Sequence, residues 1–179
     1  MKKRKIITLA LIALTFLFLP RSIKAQGNKE KILNECKNAK AAFVKTDESM
    51  NSLFTNAYGY AIFPNIGKGG AIVGGAGGGG ALYKNGKATG AAKMVQVDVG
   101  AQVGGQTYRE VIFFESKDAF DRFKENKIEF SGQVSAVAVK SGASANVKYR
   151  EGVAVYTQEI SGLMLEASIG GQKFTYNSF

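Results

Sequence analysis

The chain has 179 residues, 24 Lys plus Arg against 14 Asp plus Glu, and neither His nor Trp. That length suits one domain. The missing His removes imidazole-based triads, dyads, metal sites and pH switches, and a single Cys leaves no internal disulfide and no thiolate zinc site. The formal net charge of +10 invites a nucleic-acid or membrane reading, so its location matters.

Residues 1–25 carry much of it. Met1 to Lys5 is a basic opening, Ile6 to Leu19 is apolar apart from Thr8 and Thr15, and Pro20 ends the run before Ile23-Lys24-Ala25. This is the layout of a secretory signal peptide cut after Ala25, and the run is short beside the ~20 apolar residues of a membrane span. Removing it takes away Lys2, Lys3, Arg4, Lys5, Arg21 and Lys24 and no acid. The mature chain, 26–179, is left with 18 basic and 14 acidic residues, a net of +4. An exported protein rarely meets nucleic acid, so no nucleic-acid partner is expected.

Residues 28–57 are expected to be helical. Ile32, Leu33, Cys36, Ala39, Phe43 and Val44 recur at three- and four-residue spacing. A break near Thr46-Asp47 would cap a second helix carrying Met50, Leu53, Phe54 and Ala57. Cys36 falls on the apolar face, as a small buried hydrophobe would.

From Tyr58 to the end the chain is expected to be mainly β. Fifteen of the 22 glycines lie between 59 and 105, around short runs such as Tyr60 to Phe63, Ala71 to Val73, Ala81 to Tyr83 and Met94 to Val99. Asn85-Gly86 between two such runs signals a type I′ hairpin. Tyr108 to Phe114 reads as a strand, and Ser116 should cap a helix near 117–127 with Asp118 in its first turn. Val134 to Val139, Ala143 to Tyr149, Val153 to Ile160, Leu163 to Ile169 and Lys173 to Tyr176 read as further strands of a meander. The expected fold is α+β: N-terminal helices plus a large curved or barrel-like antiparallel glycine-rich sheet with one inserted helix. So many glycines in strands imply bulges, tight corners or close backbone approach.

Gly75 to Gly80 satisfies the dinucleotide pattern G-x-G-x-x-G, but no helix follows it, so no cofactor is expected. Neither Gly67-Lys68 nor Gly86-Lys87 continues as a Walker motif. Asp98, Glu110, Glu151, Glu159 and Glu166 lie on separate predicted strands with nothing to pair them for acid–base work. No catalytic residue and no metal ligand set is assigned.

The basic residues are more informative. Across 60–109, Lys68, Lys84, Lys87, Lys93 and Arg109 face one acid, Asp98. Lys84 and Lys87 flank the hairpin turn. Lys68 sits among Gly67, Gly69 and Gly70, where backbone amides could approach an anion. The expected partner is an anionic phospholipid or membrane surface, each nearby Lys contributing ~1 kcal/mol. The alternatives are a small outer-membrane β-barrel, for which eight strands of ~10 residues suffice, or a structural envelope protein.

Gly59-Tyr60-Ala61-Ile62-Phe63-Pro64-Asn65-Ile66-Gly67-Lys68-Gly69-Gly70, with Ile72 to Gly80 behind it, resembles the SYLF domain. Val99 to Gln106, Ser116 to Phe123 with Lys127, and Tyr156, Gly162-Leu163, Glu166 and Gly170 are similar to its later motifs. The resemblance spans roughly 30–175 and implies a non-enzymatic phospholipid-binding module. Eukaryotic members bind phosphoinositides and one fungal branch binds actin; outside a bacterial-type cell actin is not expected as a partner. The expected location is periplasmic or secreted, at a membrane periphery.

Overall fold

The computed structural model describes residues 21–70, 73–99, 105–128, 130, 135–146, 148–161 and 171–179. Contacts divide the chain into two units, Met1–Lys31 and Ile32–Phe179. The apolar spacing after residue 30 forms a helix, α1 (Arg21–Thr46), followed by α2 (Met50–Asn56). Among the described residues no helix is long and apolar enough to cross a membrane.

Seven strands follow: β1 (Gly59–Gly70), β2 (Val73–Lys84), β3 (Lys87–Val99), β4 (Gln106–Phe114), β5 (Ala136–Ala138), β6 (Val153–Ser161) and β7 (Gln172–Ser178), with α3 (Lys117–Lys124) between β4 and β5. They form one sheet in the order β5-β6-β4-β1-β2-β3-β7. Neighbours run antiparallel except β5 and β6, which are parallel. The sheet is therefore mixed. It is also open, with β5 and β7 as edges, so the closed-barrel alternative is not supported.

The expected β2–β3 hairpin is present. Asn85 at φ 50° and Gly86 at φ 73° form its turn, the left-handed pair that a type I′ turn needs. The expected α3 is also present, though it ends at Lys124. Ser116 Oγ accepts from Ala119 N at 3.3 Å, and Asp118 in the first turn accepts from Arg122 Nε at 3.1 Å.

The stretch expected as a strand over 143–149 is different. Residues 141–146 form turns, with Gly142 at φ 75°. The cause is Asp47, far away in sequence. Its carboxylate accepts from Ser144 N at 2.8 Å, Ser144 Oγ at 2.7 Å, Ser49 N at 3.1 Å and Ser49 Oγ at 2.6 Å. That network ties the turn to the α1–α2 corner, and α2 begins after Ser49 rather than on a Thr46 or Asp47 cap. The expected strand over 163–169 lies outside the described residues.

Burial would raise the Asp47 carboxyl, but the bonds from Ser49 and Ser144 prevail and hold it well below the usual carboxylate range. A depressed folded-state pKa gives stability that is present above the unfolded value of 3.8 and lost as pH falls below it. Asp47→Ala should lower unfolding free energy at pH 7 by about 2–4 kcal/mol, because buried donors lose a charged acceptor. Urea titration of both proteins at pH 7 and pH 3 measures this, and a gap that fails to narrow at pH 3 would refute the assignment.

Two apolar clusters hold the sheet. On its outer face Cys36, Ala39, Phe43, Met50, Leu53 and Phe54 of the helices pack on Tyr60, Ile62, Ala81, Val111, Phe113 and Tyr156. Cys36 is fully buried as expected, and burial pushes its thiol up to about 12. On the inner face Ala119, Phe120 and Phe123 of α3 pack with Phe63, Ile112, Phe114 and Phe174. Phe63 of β1 and Phe174 of β7 stand 5.7 Å apart, although β2 and β3 lie between their strands. Flat neighbours are ~4.8 Å apart, so the sheet must curl strongly for these rings to meet.

A glycine-paved outer face and a polar inner end

Alternation along β1 to β3 splits the glycine motif between two faces. Gly67 and Gly69 are exposed on the outer face, while Lys68 between them is buried on the inner one, 8% exposed. Strand register then sets out transverse rows on the outer face. Gly67 pairs with Gly77, Gly77 with Val95 and Val95 with Lys173; Gly69 pairs with Gly75 and Gly75 with Val97; Gly79 pairs with Lys93. The result is a stretch of sheet with almost no side chains, bordered by Val95 (59% exposed), Val97 (70% exposed) and the exposed Lys93 and Lys173.

The glycines of β1 and β2 have different causes on the two faces. A Cβ on Gly80 would lie 2.2 Å from Ile62 O, and one on Gly78 2.5 Å from Asn65 O. Both sit opposite the β1 irregularity between Ile62 and Gly67, where the strands approach closely. A Cβ on Gly67 or Gly69 would meet nothing within 4 Å, and neither has positive φ. Crowding and backbone conformation leave those two unexplained. A bare sheet surface against which another body can lie flat does explain them.

The five basic residues singled out in the sequence do not share one surface. Lys84 and Lys87 flank the hairpin turn at the opposite end of β3 from Val97. Lys84 donates to Tyr58 Oη at 2.7 Å and lies over that ring. Lys93 alone of the five borders the glycine rows. Arg109 lines a cavity of about 180 Å³ with Glu35, Asn38, Ala39, Pro64 and Asn65, its buried Nε without a hydrogen-bond partner among the described residues. Gly67 and Gly69 pave the outer face, and Gly70 ends β1. Val95 and Val97 were not singled out from sequence. Their signal was the Met94-Val95-Gln96-Val97 alternation, which separates two faces without saying which is solvent.

The inner end of the curled sheet is polar. Glu110 on β4 is fully buried and accepts from Gln172 Nε2 on β7 at 3.0 Å; the same Nε2 also reaches Gln96 Oε1 at 3.3 Å. Thr157, paired across strands with Glu110, is also fully buried. Among the described residues Glu110 Oε1, Gln172 Oε1 and Thr157 Oγ1 have no hydrogen-bond partner. Burial pushes the Glu110 carboxyl up to about 7, opposed by the Gln172 bond. Among the described residues no group of three His, Cys, Asp or Glu side chains could hold a metal ion.

The fold is of the α+β class: an open curled sheet with α1 and α2 on its outer face, α3 on its inner face, and a bare, apolar-edged patch on the outer one. Residues 95–178 match the family model described as Ysc84, Las17-binding protein actin regulator. That model describes the SYLF family, a family of non-catalytic binding domains, and residues 95–178 carry the match to it. It is similar to Beta cell expansion factor A of Aeromonas veronii, 38% identical over 136 residues, covering 70% of this chain and 48% of that protein. The chain thus spans about half the length of the curated relative it matches.

Proposed function

We propose that this chain is an exported, non-enzymatic module that docks on anionic phospholipid membranes through the glycine-paved face. The match to the SYLF family supports a lipid-binding type of domain. The observation that carries the docking face is the outward pair Gly67 and Gly69, which have no steric need to be glycine, in rows edged by Val95 and Val97. Flat backbone allows close approach to the headgroup layer. Each Val inserted contributes up to about 1.5 kcal/mol, and Lys93 adds ~1 kcal/mol near an anionic surface. Export rests on the 1–25 pattern, and the mass of protein recovered outside the cytoplasm tests it.

The purified chain should co-sediment with phosphatidylglycerol vesicles at low salt, less at high salt, and weakly with phosphatidylcholine. Val97→Asp should reduce vesicle partitioning at least tenfold, and Lys93→Ala about fivefold at low salt, as ~1 kcal/mol implies. Absence of binding to every composition at low salt would end this reading, as would full binding by Val97→Asp.

A further inference from the structure

A separate cleft of about 260 Å³ lies between α1 and the β2–β3 hairpin. Its wall is Leu33, Cys36, Tyr60, Ile62 and Tyr83, with Lys37 and Lys40 from the same helix face. Among the described residues no acidic one lines it. Tyr60 and Tyr83 are stacked at 5.1 Å and 16°, forming a flat apolar floor. The polar groups in this wall are unsuited to carrying charge, since burial pushes the Cys36 thiol and both tyrosine hydroxyls upward.

Lys40 is the unusual member. Its ammonium is half-buried and lies over two rings, 4.6 Å from the Phe54 centroid and 5.4 Å from that of Tyr60. Desolvation lowers its pKa. Among the described residues no carboxylate pairs with Lys40 or Lys37. Ring faces compensate a desolvated cation only in part, and removing charge from water is costly without an anion. A cation so placed beside an apolar cleft complements a molecule with one anionic group and an alkyl tail.

We infer that this cleft binds a free single-chain anionic amphiphile, its tail between α1 and the Tyr60–Tyr83 floor and its head on Lys40 and Lys37. The site is distinct from the glycine-paved face and does not require a bilayer. At about 260 Å³ it sits near the small end of ligand pockets, ~300 Å³ and above, which suits one chain rather than a two-chain phospholipid.

The test is calorimetric titration of the full chain with sodium dodecanoate below its micelle concentration, beside dodecyl maltoside as a neutral-headed control. Saturable binding of dodecanoate at least tenfold tighter than the maltoside is expected. Lys40→Ala should weaken dodecanoate at least fivefold and leave the maltoside unchanged. Ala88→Phe, which fills the cleft from the rim, should weaken both, with thermal unfolding showing that each variant folds. Val97→Asp should retain dodecanoate binding, so failure of vesicle docking and failure of this site are read separately. Equal affinity for both amphiphiles, or insensitivity to Lys40→Ala and Ala88→Phe, would overturn the inference, as would loss of dodecanoate binding in folded Val97→Asp.

Discussion

Gly80→Ala is expected to destabilise the protein by about 3 kcal/mol or more, or to prevent its recovery in folded form. The added carbon would lie 2.2 Å from Ile62 O, 2.7 Å from Phe63 Cδ1 and 3.0 Å from Ile62 C. Two of those atoms are backbone of the paired strand and cannot swing aside as a side chain would. Relief requires β1 and β2 to part, which breaks a ladder at the middle of the sheet, where Phe63 anchors the inner core. Gly67→Ala and Gly69→Ala, both on β1, should change stability by no more than about 0.5 kcal/mol. Urea unfolding of the three variants decides the matter. If Gly67→Ala proved as damaging as Gly80→Ala, Gly67 could not lie on an open face, and the docking surface would lose its basis.

The second large effect is a fall in stability as pH rises through neutrality. The folded Glu110 carboxyl sits at about 7 against an unfolded value of 4.5. A raised folded-state pKa means that the native state holds the proton more tightly. The stabilising contribution is therefore complete below pH 4.5, declines between 4.5 and 7, and is gone above. A difference of that size corresponds to about 3 kcal/mol. Glu110 faces Gln172 of β7, Thr157 of β6 and Phe63 of β1, with Lys68 and Tyr108 as titratable neighbours on the same inner surface.

Glu110→Gln should flatten this dependence, because the amide keeps an acceptor for Gln172 Nε2 and never ionises. Unfolding midpoints at pH 5 and pH 8 should differ clearly in the parent and hardly at all in the variant. An equal slope in both would place the titration elsewhere. Asp47 acts in the opposite direction and at lower pH, so stability should peak between pH 4 and 5, where Asp47 is ionised and Glu110 is still neutral.

Much of the local structure was legible in the sequence because its causes are local. Asn85-Gly86 needs only its own backbone to turn, and Ser116 reaches Ala119 within one helical turn. Cys36 and Phe43 follow a spacing that any core-facing helix shows. The strand expected over 143–149 gives way to the turn at 141–146 because Asp47, which organises it, is 97 residues from Ser144. No window of sequence contains both.

The site was legible only in part, for a related reason. Alternation in β1 and β3 separates two faces but carries no label for inside and outside. Lys68 amid glycines therefore reads as a surface cation, and nothing in the sequence marks Val95 and Val97 as exposed. The curl of the sheet decides both, turning Lys68 and Gln96 inward and leaving the valines in solvent. The same curl brings Gln172 to Glu110 across three intervening strands.

The sequence by itself determined the α+β class, the hairpin, the inserted helix and the exclusion of imidazole chemistry, since composition and short-range periodicity suffice for each. Only the tertiary structure decided which glycines are forced by strand approach and which leave an open surface. It also decided which lysines meet solvent and which acid is buried. Those properties depend on distances between strands that the chain order keeps far apart.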